Sequence, residues 1–199
     1  MKVLVATRNA GKVRELQRLL DGSGFELVGL DAFGDAPDVL EDGDTFEANA
    51  LKKAREMAAH AGLPTLADDS GIEADALDLA PGIHSARYAG VHGDDEANND
   101  KLLAELADVP DAQRTGRFVC ALAFVDLDRG FEHVARGTIE GAILRERRGQ
   151  GGFGYDPLFL PHGHARTTAE MSAAEKNAIS HRANAAALML NTLRERYLT

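Results

Sequence analysis

Cysteine is nearly missing from this chain: Cys120 is the single one among 199 residues. One thiol cannot close an intrachain disulfide, so no covalent staple supports the fold. Cys120 lies inside the apolar run 118–125, and nothing beside it in sequence would lower its pKa, so a buried core thiol is expected rather than a nucleophile. Long apolar runs are missing too: none nears the roughly 20 residues that cross a bilayer. The first residues turn from apolar to polar too soon for a signal peptide and offer no small-residue cleavage site, so a cytoplasmic protein is expected. Positive charge is scarce, with 22 Lys and Arg against 32 Asp and Glu and a net charge of −10. Such a surface argues against a nucleic-acid polymer as partner, because phosphate backbones need a basic footprint. A small polyphosphate remains open, since one pocket can be basic inside an acidic protein and Mg²⁺ can add charge. Repeats, low-complexity tracts and long linkers are also absent.

What is present fits an ordinary globular chain, 44% apolar and 27% charged, long enough to bury a substantial core. Val3 to Ala6 is a short apolar run, as in a buried strand. Thr7 to Lys12 is a polar turn, and Val13, Leu16 and Leu20 then recur at helical spacing. Asp44 or Thr45 can cap the next helix, with Glu47 placed to complete a capping box; that helix should stop at Gly62-Leu63-Pro64. Thr65-Leu66-Ala67 reads as a strand ending in Asp68-Asp69-Ser70-Gly71. A helix over 96–106 precedes two strands, 117–126 and 132–140, expected to join through Asp128-Arg129-Gly130 in a hairpin. A last helix is expected over 180–196, with Ala186, Leu190, Leu193 and Tyr197 on one face. Helices and strands alternate early and paired strands come late, which predicts an α/β fold with a mixed sheet and helices on its faces.

Four segments could carry chemistry. Thr7 to Lys12 leaves a strand and opens a helix, so free N–H groups and the positive dipole end would face it, and Asn9 and Lys12 add side-chain donors. It is not a Walker A loop, because the glycine spacing is wrong and Val13 stands where Ser or Thr would bind metal; taken alone, a surface turn explains it better. Asp68 and Asp69 are adjacent carboxylates after an apolar strand. They would repel unless a cation such as Mg²⁺ sat between them or one took up a proton. Adjacent strand residues point to opposite faces, so only one of the two is expected to touch a metal; a turn or capping pair explains them about as well. Glu41, Asp42 and Asp44 are further acids that solvation alone would explain. Gly149 to Gly154 matches G-x-G-x-x-G as a string, but Pro157 follows at once and forbids the helix a dinucleotide fold needs. A flexible loop presenting Phe153, Tyr155 and Asp156 is the better functional reading, with a glycine-rich turn around buried aromatics as the alternative. Lys176, Ser180, His181 and Arg182 gather near the start of the last helix, where cations oppose the dipole unless an anion or electron-rich ligand relieves them. A salt-bridged surface would explain them equally. His162-Gly163-His164 reads as a polar loop rather than a metal site.

In order, the segments ATRNAGKVRE, EDGDTFEANALKKA, LADDSGIEADAL, PGIHSARYAG, GGFGYDPLF and EKNAISHRANA resemble one family, the inosine/xanthosine triphosphate pyrophosphatases, over nearly the whole chain. The resemblance implies a mixed α/β sheet with two lobes around a long substrate cleft, forming a single functional domain, and a homodimer. It implies that Thr7, Arg8, Asn9, Ala10, Gly11 and Lys12 hold the triphosphate, that Glu41 and Asp69 serve a Mg²⁺ site with Asp68 close by, and that Asp69 is the base that prepares water. Ser70 would touch substrate. Phe153, Gly154, Tyr155, Asp156, Lys176, His181 and Arg182 would bind the nucleotide and its base, with Asp156 accepting from N1–H and His181 and Arg182 donating to O6. Two positions depart from the family pattern. Arg8 stands where glycine is common and either adds a phosphate contact or points away. Ala48 stands where many members carry glutamate, which leaves any metal or water role of that glutamate without a bearer. The rivals are a pyrophosphatase for modified pyrimidine or methylated nucleotides, a non-catalytic nucleotide sensor, and, on the glycine string alone, a dinucleotide-dependent oxidoreductase.

Overall fold

The computed structural model describes residues 1–198. Its strands are β1 (Lys2–Val5), β2 (Glu26–Gly29), β3 (Thr65–Ala74), β4 (Thr115–Asp126), β5 (Phe131–Ile143) and β6 (Phe159–Pro161); its helices are α1 (Ala10–Leu19), α2 (Phe46–Ala61), α3 (Asp95–Glu105), α4 (Ala173–Ile179) and α5 (His181–Tyr197). The strands form one sheet in the order β2-β1-β3-β4-β5-β6. It is mixed, as expected: β1 runs parallel to β2 and β3, whereas β5 and β6 are antiparallel. The apolar run of β1 is buried throughout from Val3 to Val5, the pattern of a strand covered on both faces.

Two compact units emerge. One comprises Met1–Asp69, Cys120–Gly137 and the stretch from Arg182 onward; the other comprises Ser70–Val119 and Thr138–His181. The first packs Val3, Leu16, Leu66, Leu122, Phe124 and Met189 into its core. Cys120 belongs to that core, and burial pushes its thiol up to about 12, so the expectation of an inert thiol holds. The second unit packs Ile72, Leu102, Phe118, Leu158 and Phe159.

The local signals that set helix ends act mostly as the sequence suggests. Asn9 caps α1 by accepting from the Lys12 amide, and Gly62 ends α2 in the left-handed conformation with φ of 62°. Three details differ. Thr45, not Asp44, caps α2 and accepts from the Ala48 amide. Glu47 therefore falls one residue short of the capping-box position and pairs with Arg136 instead. Strand β3 does not stop at Ala67 but continues through Asp68, Asp69 and Ser70 to Ala74. Gly71 permits this: a Cβ there would lie 2.6 Å from the Gly82 carbonyl oxygen. Finally, a separate short helix, α4, precedes the last one. Ser172 and Glu175 close a capping box at its start, a signal masked in the sequence by the stronger periodicity that follows it.

Candidate active site

In the first unit, three segments bring charged side chains to the carboxyl end of β1 and the middle of β3. The turn after β1 delivers Lys12 in the first turn of α1. The Ala10 and Gly11 amides stand in the same turn, where no intrahelical carbonyl can answer them. The Asn9 side-chain oxygen is engaged by the Lys12 amide at 3.1 Å, so only its amide nitrogen remains to donate. Arg8 turns toward the 36–38 segment, where it pairs with Asp38 and donates to the Ala36 carbonyl at 2.6 Å. Of the two outcomes open for this residue, the structure shows the one directed away from the loop.

Asp68 and Asp69 meet different surroundings, as their alternation along a strand requires. Asp68 receives Arg182 at 2.9 Å and 3.2 Å and Lys12 at 3.2 Å. Burial opposes its charge, but Lys12, Arg182 and Lys53 outweigh that and hold the carboxyl far below the usual carboxylate range. Asp69 is pushed the other way. Burial raises it to about 6, Glu41 adds to the rise, and Lys12, Lys53 and the Asn49 amide counter it only in part. Among the described residues Asp69 Oδ2 has no hydrogen-bond partner, although it is buried.

Arg182 is fully buried and bridges Asp68 to Glu15 on α1. The cationic start of the last helix is thus relieved by two carboxylates of the chain itself, and no ligand is needed to explain it. Removing either partner of such a buried pair typically costs about 3–5 kcal/mol. The guanidinium expected to read O6 of the base is engaged within this triad.

Two residues of this region escaped the reading of the sequence. Lys53 pairs with Glu41 and donates to the Asp68 carbonyl at 3.1 Å. Asn49, one turn earlier on α2, accepts from the Gly43 amide at 2.8 Å and so fixes the loop that carries Glu41. Their spacing of four residues on one helix face was the available signal.

A hard cation suits this set. Asp69 and Glu41 repel each other, and one Asp69 oxygen is left unanswered. Among the described residues no group of three or more His, Cys, Asp and Glu side chains is assembled for a metal. Mg²⁺ commonly needs only one or two carboxylates when substrate phosphates and water complete its shell, so Asp69 and Glu41 fit it. Asp68 is held by cations instead.

In the second unit, Phe153, Asp156 and Lys176 converge. Asp156 is buried, and its carboxylate accepts from Lys176 Nζ at 2.5 Å, the Phe153 amide at 2.9 Å and Thr168 Oγ1 at 2.8 Å. The same ammonium lies 4.7 Å from the centre of the Phe153 ring. Gly152 is required here, because a Cβ would stand 2.0 Å from Asp156 Oδ2. The Tyr155 hydroxyl donates to the Ser85 carbonyl at 2.8 Å. The segment expected to be a flexible loop is therefore pinned at successive residues. His181 stacks on Phe118 at 5.0 Å between ring centres, and Phe118 in turn contacts Phe159 at 4.5 Å. Ser70 follows Asp69 directly along β3.

Residues 3–192 match the model of the Ham1 family. A dITP/XTP pyrophosphatase of Streptomyces coelicolor is 50% identical over 98% of both chains. One from Geobacter sulfurreducens is 51% identical over 96% of both. Among solved structures, a HAM1 protein from Coxiella burnetii superposes with a TM-score of 0.88 at 40% identity, covering 98% of this chain and 99% of that one. A nucleoside-triphosphatase, dITP/XTP pyrophosphatase, from Mycobacterium abscessus gives 0.77 at 50% identity, covering 96% and 99%.

Proposed function

The chain belongs to the Ham1 family, and on that footing we propose that it hydrolyses deaminated purine nucleoside triphosphates, ITP, dITP and XTP, to the monophosphate and pyrophosphate. The names of its close relatives support the substrate class. The observation that carries the chemistry is Asp69, a buried carboxylate beside two lysines with one oxygen unanswered. Structural carboxylates in such places are normally fully hydrogen-bonded. One raised to about 6 is suited to take a proton near neutral pH.

Water attacks the α-phosphorus, and Asp69 orients it and takes its proton. The bond from the α-phosphorus to the bridging oxygen breaks, and its electron pair leaves with pyrophosphate. Lys12 and the Ala10 and Gly11 amides meet the charge that builds on the departing phosphates, so catalysis is mostly positioning and electrostatics. Asp69 and Glu41 would hold Mg²⁺, which when bound would add positive charge beside the phosphates and lower the pKa of the water. Asp68 and Arg182 keep Lys12 in place from behind.

For the base, Phe153 offers a π-face, and stacking on an aromatic contributes about 1–3 kcal/mol per base. Lys176 donates to Asp156, and its ammonium is the cation this reading sets against the 6-oxo acceptor of hypoxanthine and xanthine. Adenine presents a donor there and would set an amino group against the ammonium, a mismatch that sites of this kind reject strongly. Asp156 serves this reading by holding Lys176 and Phe153, and His181 on its Phe118 support is a second donor. The same reading implies a homodimer in the cytoplasm; light scattering after size-exclusion chromatography tests the assembly, and cell fractionation the location.

Pyrophosphate release from ITP, XTP, dITP, GTP, ATP and dUTP, with and without Mg²⁺, tests the proposal. Hydrolysis of ITP, dITP and XTP far above the rest, dependent on Mg²⁺, is expected. Preference for dUTP, or binding without release, would transfer the protein to one of the rival classes.

A further inference from the structure

Helix α3 bears on the glycine-rich segment in a way the catalytic reading does not use. The Gly154 amide donates to Asp95 Oδ2 at 2.7 Å, and the Gly154 carbonyl accepts from Asn99 Nδ2 at 2.9 Å. Asp95 and Asn99 are one turn apart and so share a face of the helix. With the Phe153 amide already on Asp156, three backbone groups of Phe153 and Gly154 are each held by a side chain. Gly154 needs such holding. It adopts φ of 61°, and a glycine by itself ranges over far more conformations than any other residue.

Asp95 stands in the first turn, where an acid suits the helix dipole, and Asn99 also donates to the Asp95 carbonyl at 2.7 Å, yet both side chains reach beyond the helix. Asp94 already caps α3 by accepting from the Ala97 amide at 3.0 Å, so the Asp95 carboxylate is not needed as a cap. Asparagine is a weak helix former. Asn99 is nevertheless buried within the helix, and its Oδ1 has no hydrogen-bond partner among the described residues. A local preference broken in this way at Asn99 marks a position kept for something other than helix stability.

We propose that Asp95 and Asn99 are positioning residues for base recognition: by fixing both backbone polar groups of Gly154 they hold Phe153 in the orientation that stacks on the nucleobase. The inference rests on the nucleotide reading given above. It predicts that loosening the clamp weakens binding of the base while leaving the chemistry on the phosphates untouched.

The test compares Asp95→Ala, Asn99→Ala and Asp95→Asn with wild type in one assay series: kcat and KM for ITP, calorimetric binding of IMP, and inhibition by pyrophosphate, which has no base. The two alanine variants should raise KM for ITP and weaken IMP binding about five- to tenfold, the loss expected for one hydrogen bond, with kcat within about twofold and pyrophosphate inhibition unchanged. Asp95→Asn keeps an oxygen for the Gly154 amide and should stay near wild type. Asp95 is only half-buried, so its alanine variant keeps the measurement open if Asn99→Ala does not fold. Unchanged KM and IMP binding in the alanine variants of an ITP-active wild type would overturn the clamp alone. Equal weakening of IMP and pyrophosphate would overturn it too, by showing a general disturbance. A wild type without ITP hydrolysis would remove the nucleotide reading and the clamp with it.

Discussion

Asp69 in the first unit and Asp156 in the second are both buried aspartates next to lysine, yet their surroundings differ in kind. Asp156 has three donors on its carboxylate. Asp69 keeps an unanswered oxygen, is pushed up to about 6, and has a second acid, Glu41, close enough to add to that rise. The first arrangement makes a rigid scaffold, because every polar group has reached its partner before any ligand arrives. The second stores a cost that a proton, a cation or a reacting water can relieve, which is how reactive carboxylates are tuned. Burial alone therefore does not tell the two arrangements apart; their hydrogen-bond partners do.

The sharpest way to break this comparison is to remove each charge in turn. Asp69→Asn should lower kcat by about 10²–10⁴-fold, the range for a lost general base, without loss of fold. It should also raise stability at pH 7. The folded carboxyl is raised from 3.8 to about 6, so its contribution is favourable at low pH and is lost as pH climbs through 6. Ionising it near neutrality costs about 2–3 kcal/mol on that basis, and the asparagine avoids this cost. Pyrophosphate release and urea melts check both halves; a slower and also less stable variant would make Asp69 structural. Asp156→Ala should do the opposite. It strands the Lys176 ammonium and the Phe153 amide in the interior, and stability should fall by about 3–5 kcal/mol, read from urea midpoints. A change under about 1 kcal/mol would mean that the three hydrogen bonds do not act as a scaffold.

A pH profile sharpens the contrast from the side of Asp69. The base must be deprotonated, so at limiting Mg²⁺ the kcat/KM for ITP should rise about tenfold per pH unit below about 6 and level off above it. Saturating Mg²⁺ should move that limb to lower pH, since a bound cation favours the carboxylate. A flat profile from pH 4.5 to 7 would remove Asp69 as the titrating group. The smallest effect concerns the helix that supplies Lys53. Ala48 occupies the third helical position after the Thr45 cap, where glutamate would complete a capping box. Ala48→Glu should raise stability by about 0.5–1 kcal/mol with turnover unchanged within about twofold. A loss of turnover would show that this position faces the catalytic charges.

Much of the fold was legible because its signals are local. The buried β1 run, the Asn9 cap, the Gly62 stop and the 65–67 strand start each depend on a few neighbouring residues. Where such signals compete, the sequence misleads: Asp44 and Thr45 both qualify as caps, and the ADDSG segment looks like a strand end although Gly71 lets β3 pass close to the Gly82 carbonyl. The candidate site was legible as a list. Lys12 and Asp69 come together in the first unit, and Phe153 and Lys176 in the second. Lys53 and Asn49 were not on that list, because a lysine or asparagine inside a helical stretch looks the same whether it faces water or a buried partner.

Composition and motif order by themselves determined that the chain closes no intrachain disulfide, and they pointed to an α/β fold and to a resemblance to the pyrophosphatases. The surroundings of the aspartate pair were decided only by tertiary structure. Asp68 and Asp69 are chemically identical neighbours, and their fates diverge because adjacent strand residues face opposite sides. One side brings Arg182 from 114 residues away; the other meets Glu41 and an asparagine. A carboxylate's proton affinity is set by the charges and solvent around it rather than by its neighbours in sequence, and those surroundings exist only once the chain has folded.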